Sequence, residues 1–169
     1  MYPFSQTNTW EERIARGTEA EKIVAQQLRD QKWNLESLGQ SQMSPALRAA
    51  LRDQKEINLL RWFPDLAAWR ISPLTNRTII FAIDAKSIMK TQVNLSVEER
   101  ALEASEEFER SSRMPWLFVI PGLMCFDPIT LRTGSRSGGP GGGSGTPYVV
   151  MPKIQGYHIE TYFGMEERK

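Results

Sequence analysis

Two stretches of the chain, "RWFPDLAAWR" at residues 61–70 and "TIIFAIDAKS" at residues 78–87, are separated only by "ISPLTNR". The second is rich in β-branched and aromatic residues, as buried strands are. "PLTNR" has the composition of a turn, so the three pieces predict a β-hairpin. A turn centred between Leu74 and Thr75 opposes Ser72 to Arg77, Arg70 to Ile79 and Asp65 to Asp84. Directly opposed residues hold their Cβ atoms about 4.5–5.5 Å apart on one side of the sheet. Lys86, two residues beyond Asp84, points to the same face. An apolar hairpin therefore gathers two carboxylates and an amine at one end.

Two adjacent carboxylates repel unless one is protonated or a cation lies between them. A hard divalent ion solves this with oxygen ligands, and Mg²⁺ takes one or two carboxylates plus water and substrate phosphate. A neighbouring ammonium can then orient or activate an attacking water, which is the layout of metal-assisted hydrolysis. Taken singly, each residue has an ordinary reading. Asp65 is then a solvated strand end, and Asp84 with Lys86 a surface pair of little energetic value. Their joint placement on the two arms of one hairpin favours a site.

Upstream, helical spacing begins near residue 10. Thr9 and Glu12 form a capping-box start, and Ile14, Ala20, Ile23, Val24 and Leu28 recur near helical period up to Asp30. Positions 14, 21 and 28 align within about 20° on such a helix. Glu21 thus falls on the apolar stripe between Ile14 and Leu28, where a carboxylate needs a partner. The same cation could serve it, directly or through water. "KWNLESL" (32–38) alternates as a short strand. Ser44-Pro45 opens a second helix, "SPALRAALRDQ", with proline where its missing amide costs nothing. Arg48 and Arg52 lie one turn apart on it.

Downstream, Ser96 and Glu99 form another capping box, predicting a helix to about Arg113 with a stripe of Val97, Ala101, Ala104 and Phe108. "PWLFVIPG" is a continuous apolar run and reads as a central strand covered on both faces. Residues 133–146, beginning "TGSRSGGPGGGSG", read as a flexible Gly-rich surface loop. "YVVMPKIQGYHIETYFG" (148–164) is expected to return to the sheet as one or two strands. His158 and the tryptophans Trp62 and Trp69 read as packing residues. The expectation is an α/β fold in a single domain, residues 1–169, with a central mixed β-sheet flanked by helices.

Bulk properties set the class. The 169 residues are 40% hydrophobic and 24% charged, as in a folded globular protein. No run approaches the roughly 20 apolar residues of a membrane span, and the first residues lack a signal peptide's basic and apolar regions. The lone Cys125 cannot make an internal disulfide or a cysteine zinc site; in "GLMCF" it reads as a small core residue. A cytoplasmic protein is expected. Net charge is +1, so any nucleic-acid surface must come from local clustering.

"FPDLAAWR" followed by "FAIDAKS" resembles the PD-(D/E)xK nuclease superfamily. "RGTEAEKIVAQQLRDQKWNL" is similar to the leading helix and first strand of its Holliday junction resolvase-like branch, and the similarity runs from about Gly17 to Pro121. The resemblance implies a restriction-endonuclease-like core and Mg²⁺- or Mn²⁺-dependent cleavage of DNA phosphodiesters. It implies that Asp65 and Asp84 ligate metal together with the backbone carbonyl of Ala85. Lys86 would position the nucleophilic water and stabilise charge on the phosphorane, and Glu21 would complete the acidic cluster. Symmetric cutting of a branch requires a homodimer. The inserted helix, the Gly-rich loop and the near-neutral charge depart from compact cellular resolvases and leave room for a phage or mobile-element type. For DNA contact the candidates are Lys90, Arg48, Arg52, Arg132 and Arg136, on charge and reach alone. Two alternatives stand beside this reading: a catalytically silent DNA-binding or assembly module of the same fold, and the nuclease subunit of a restriction or transposition complex.

Overall fold

The computed structural model describes residues 10–39, 42–52, 62–88, 92–134, 136–138 and 147–166. The first half of the chain forms α1 (Trp10–Asp30), β1 (Asn34–Ser37), α2 (Pro45–Arg52), β2 (Leu66–Ile71), β3 (Thr78–Ala85) and β4 (Asn94–Glu98). There follow α3 (Glu99–Ser112), β5 (Trp116–Ile120), β6 (Met124–Phe126), α4 (Pro128–Gly134) and β7 (Arg136–Gly138). β8 (Tyr148–Pro152), β9 (Tyr157–His158) and α5 (Ile159–Glu166) close the described chain.

A six-stranded sheet runs in the order β1-β2-β3-β5-β6-β9, and a second sheet in the order β4-β8-β7. Within the large sheet only β3 and β5 are parallel. A parallel pair needs a long crossover, and here β4 and α3 supply it. The result is an α/β fold with a central mixed sheet and, among the described residues, five α-helices. The hairpin register is the expected one: Leu66 pairs with Ile83, Arg70 with Ile79 and Ile71 with Thr78. At the turn the Ser72 hydroxyl accepts the amides of Leu74 and Thr75, both at 3.2 Å. This satisfies donors that a tight turn would otherwise leave unpaired.

All five residues of β5 are buried, as a strand covered on both faces requires. Leu117 and Val119 pack with Val24, Leu28, Phe81 and Phe163 under α1 and α5. Trp116, Phe118 and Ile120 face the other way, against Leu95, Val97, Leu102 and Met151 from α3 and the small sheet. The site's strands are thus gripped from both sides.

Four expectations need correction. Ser96 does not cap a helix. It lies in β4, paired with Val150, and α3 starts at Glu99 with Glu98 as an N-cap that makes no side-chain cap bond. Leu95 and Val97 alternate inward while Ser96 points out, so the period is two. On α1, Ile14 and Ile23 are exposed; the buried stripe is Ala20, Val24, Ala25 and Leu28. In the Gly-rich region, Thr133 and Gly134 finish α4 and residues 136–138 form β7, while 135 and 139–146 lie outside the described residues. Finally, β8 joins the small sheet, β9 is only two residues long, and the chain from Ile159 is helical. No helix among the described residues is long and apolar enough to cross a membrane.

Candidate active site

At the end of the hairpin away from its turn, β2 begins just after Asp65 and β3 ends just before Lys86. Asp65 Oδ2 accepts the Ala85 amide at 2.8 Å, so this carboxylate is bonded across the hairpin at the point where the ladder ends. An extended residue turns its N–H and C=O to the same strand edge; the Ala85 carbonyl therefore shares that edge with Asp65. Lys86 Nζ lies 2.8 Å from Asp84 Oδ2 and 5.7 Å from the centre of the Phe118 ring. The Lys86 amide donates to the Val119 carbonyl at 2.8 Å. The parallel β3–β5 ladder thus fixes the backbone that carries both charged groups.

The backbone around Asp65 is equally constrained. Its carbonyl accepts the amides of Leu38 and Gly39 at 2.8 and 3.0 Å, which ties the end of β1 to the start of the hairpin. A Cβ on Gly39 would sit 3.0 Å from Asp65 Cα and 3.1 Å from Oδ1. Gly39 therefore acts as a spacer for Asp65. Sequence reasoning missed it; a glycine directly after a short strand was the only signal.

The charged groups of the centre act strongly on one another. The Asp65 carboxyl is pushed up to about 7, first by burial and then by the charge of Asp84, with a smaller push from Glu21. Lys86 and the Ala85 amide pull it part of the way back. Burial works to lower Lys86, but the charge and hydrogen bond of Asp84, with Asp65 and Glu98 adding, hold it above the ordinary lysine value. Burial also raises Glu21.

Among the described residues, no three acidic, histidine or cysteine side chains are gathered tightly enough to form a ready-made metal cage. The centre instead offers two carboxylates and a carbonyl, with Glu21 felt by Asp65 from the rim. That hard-oxygen set suits Mg²⁺ or Mn²⁺, which keep several waters and take the rest of their shell from substrate phosphate.

The candidate DNA contacts fare differently. Arg132 is tied to Glu106 through Nε and Nη2, each at 3.0 Å, and approaches Glu99 at 3.5 Å. It latches α4 to α3, so the guanidinium that charge and reach proposed for phosphate already has carboxylate partners. Arg48 and Arg52 lie on α2 and Arg136 on β7, but their side chains, like Lys90 entirely, lie outside the described residues. His158 Nδ1 accepts the Glu160 amide at 3.3 Å, and Cys125 is buried with its thiol pushed up to about 12 by burial. Trp62 packs on the core beneath α3.

No protein-family model and no curated protein matches the sequence. Among solved structures, the Hjc Holliday junction resolvase of the archaeal hyperthermophile Archaeoglobus fulgidus superposes with a TM-score of 0.52 at 15% identity, covering 88% of this chain and 96% of that chain. D212, a nuclease from a fusselovirus, superposes more loosely, with a TM-score of 0.44 at 9% identity over 96% of this chain and 93% of that chain. The superposition shows that this chain, with its six-stranded mixed sheet and the β3–β5 crossover, has the fold of the Hjc resolvase.

Proposed function

We propose that the protein is a metal-dependent endodeoxyribonuclease that hydrolyses DNA phosphodiesters, with branched DNA as its special substrate. One observation carries this: Asp65 and Asp84 end the two arms of one hairpin with the Lys86 amine 2.8 Å from Asp84. Asp65, Asp84 and the Ala85 carbonyl would hold Mg²⁺ or Mn²⁺, with Glu21 reached through water. The bound ion supplies Lewis-acid polarisation of the phosphate and a water of lowered pKa. The chain's own residues do the remainder. Lys86, kept protonated by Asp84, serves as a fixed cationic donor. It orients the attacking water and faces the negative charge that develops on the phosphorus oxygens. Asp84 holds that amine in place, and the Ala85 amide holds the Asp65 carboxylate. The likeness to a resolvase fold favours junctions over plain duplex, and paired cuts across a junction call for two copies of the chain acting in the cytoplasm.

The test is cleavage of plasmid and of a synthetic four-way junction with Mg²⁺, Mn²⁺ or EDTA. Wild type should cut with either metal and not with EDTA. Asp84→Ala and Lys86→Ala should each lower the rate by about 10²–10³-fold, as loss of one preorganised stabilising group does, while each variant still unfolds in a cooperative thermal transition above the assay temperature. Wild-type protein that binds DNA but cuts under no metal would identify a silent binding module instead.

A further inference from the structure

Beside the carboxylates, α1 and β1 enclose a groove of about 350 Å³. Glu21, whose charge Asp65 feels, lines one end of it, together with Leu66, the neighbour of Asp65 in sequence. From α1 it takes Lys22, Gln26 and Arg29. These recur at helical spacing, so two cations and an amide form one stripe along the groove. From β1 it takes Leu35 and Ser37, which places the intervening Glu36 on the opposite side of the strand. Gln26 Nε2 donates to Asp30 Oδ1 at 2.9 Å, which occupies the acidic group closest to Arg29 in sequence. Lys22 and Arg29 are exposed, and neither joins an ion pair among the described residues, unlike Arg70, Arg110 and Arg132.

We propose that this groove carries the DNA strand flanking the scissile phosphate, with Lys22 and Arg29 as its phosphate contacts. The two positions are about 10 Å apart along the helix axis. At about 3.4 Å of axial rise per phosphate of one strand, that is a span of about three nucleotides. A strand entering past Arg29 and Lys22 arrives at Glu21 and then at the Asp65–Asp84 edge. The groove gives the protein a local basic track that its net charge of +1 does not suggest. The proposal rests on the nuclease reading above.

The experiment compares full-length wild type, Lys22→Gln/Arg29→Gln, and Arg77→Gln/Arg110→Gln, the last removing the same charge at the hairpin turn and on α3. Binding to a labelled four-way junction and to the matching duplex is measured with Ca²⁺ across a salt series, and cleavage with Mg²⁺ as a function of DNA concentration. The groove variant should lower the slope of log K against log salt by about 1.4–1.8, two phosphate contacts' worth. It should raise the half-saturating DNA concentration in cleavage far more than it lowers the saturating rate. The Arg77/Arg110 variant should match wild type in both. If wild type cuts and both variants bind alike, the groove is not the track, although the nuclease reading survives. If wild type neither binds nor cuts DNA, both fall.

Discussion

At the scale of single residues, Gly39 determines where Asp65 can be. Two amides on the Leu38–Gly39 turn hold the Asp65 carbonyl, and an added methyl would stand 3.0 Å from Asp65 Cα. Such a contact forces Asp65 to yield by a few tenths of an ångström. A displacement of about 1 Å in a reacting group can cost about 10²-fold, so Gly39→Ala should lower the saturating cleavage rate by about tenfold. DNA affinity measured with Ca²⁺ should be nearly unchanged, because no DNA contact has been removed. A drop in affinity that matches the drop in rate would mean that Gly39 shapes a binding surface and does not position Asp65. The hairpin register, from Leu66–Ile83 to Ile71–Thr78, was legible in the sequence because a turn centre fixes every pair in a two-residue period. Gly39 was not legible, because its role depends on where a distant strand begins.

Among the elements, α5 shows both what the sequence hides and what holds the fold. "YHIETYF" is rich in β-formers, and nothing local distinguishes it from a strand. Its helix is imposed by tertiary contacts. Glu160 on α5 takes both Nη atoms of Arg70, at 3.0 and 2.9 Å, and the Trp33 indole N–H at 3.1 Å. Arg70 lies 4.2 Å over the Trp33 ring, which stacks on Phe163 at 4.2 Å. One carboxylate thus joins α5, the residue before β1, and β2. The β4 error has the same origin in reverse: Ser96 and Glu99 mimic a capping box, but pairing with β8 makes the first of them a strand residue. Among the described residues Glu160 is the only ion-pair partner of the Arg70 guanidinium, whose Nε is buried without a hydrogen bond, so removing the two halves of the pair should not be equivalent. Glu160→Ala leaves a half-buried cation and an indole N–H unpaired and should cost about 1–3 kcal/mol. Arg70→Met/Glu160→Leu, which removes both charges and keeps apolar bulk, should cost less. Urea unfolding decides; a double variant less stable than the single one would show that the cation's packing on Trp33 matters more than its charge pair.

For the molecule as a whole, the proposed function makes stability depend on pH and metal together. The folded Asp65 carboxyl keeps its proton to about pH 7, against an ordinary value of 3.8. Between these values the folded state binds more protons than the unfolded one, so stability must fall as pH rises. The contribution is fully present below about pH 4 and is lost as pH passes through about 7. Asp65→Asn retains an oxygen for the Ala85 amide and cannot ionise. In EDTA it should therefore exceed wild type in stability at pH 8 and converge with it toward pH 4. A divalent ion reverses the balance, because it needs the ionised form and competes with the proton. At 100 times its dissociation constant, a ligand that binds only the folded state contributes about 2.7 kcal/mol, or roughly 5–10 °C in Tm for a chain of this size. Mg²⁺ or Mn²⁺ should accordingly raise the wild-type Tm more at pH 8 than at pH 6 and leave Asp65→Asn nearly unmoved. Equal metal shifts in wild type and Asp65→Asn would place the ion elsewhere. A wild type that gained stability from pH 5 to pH 8 in EDTA would mean that the carboxylates are already compensated without an ion, removing the physical reason for one to bind.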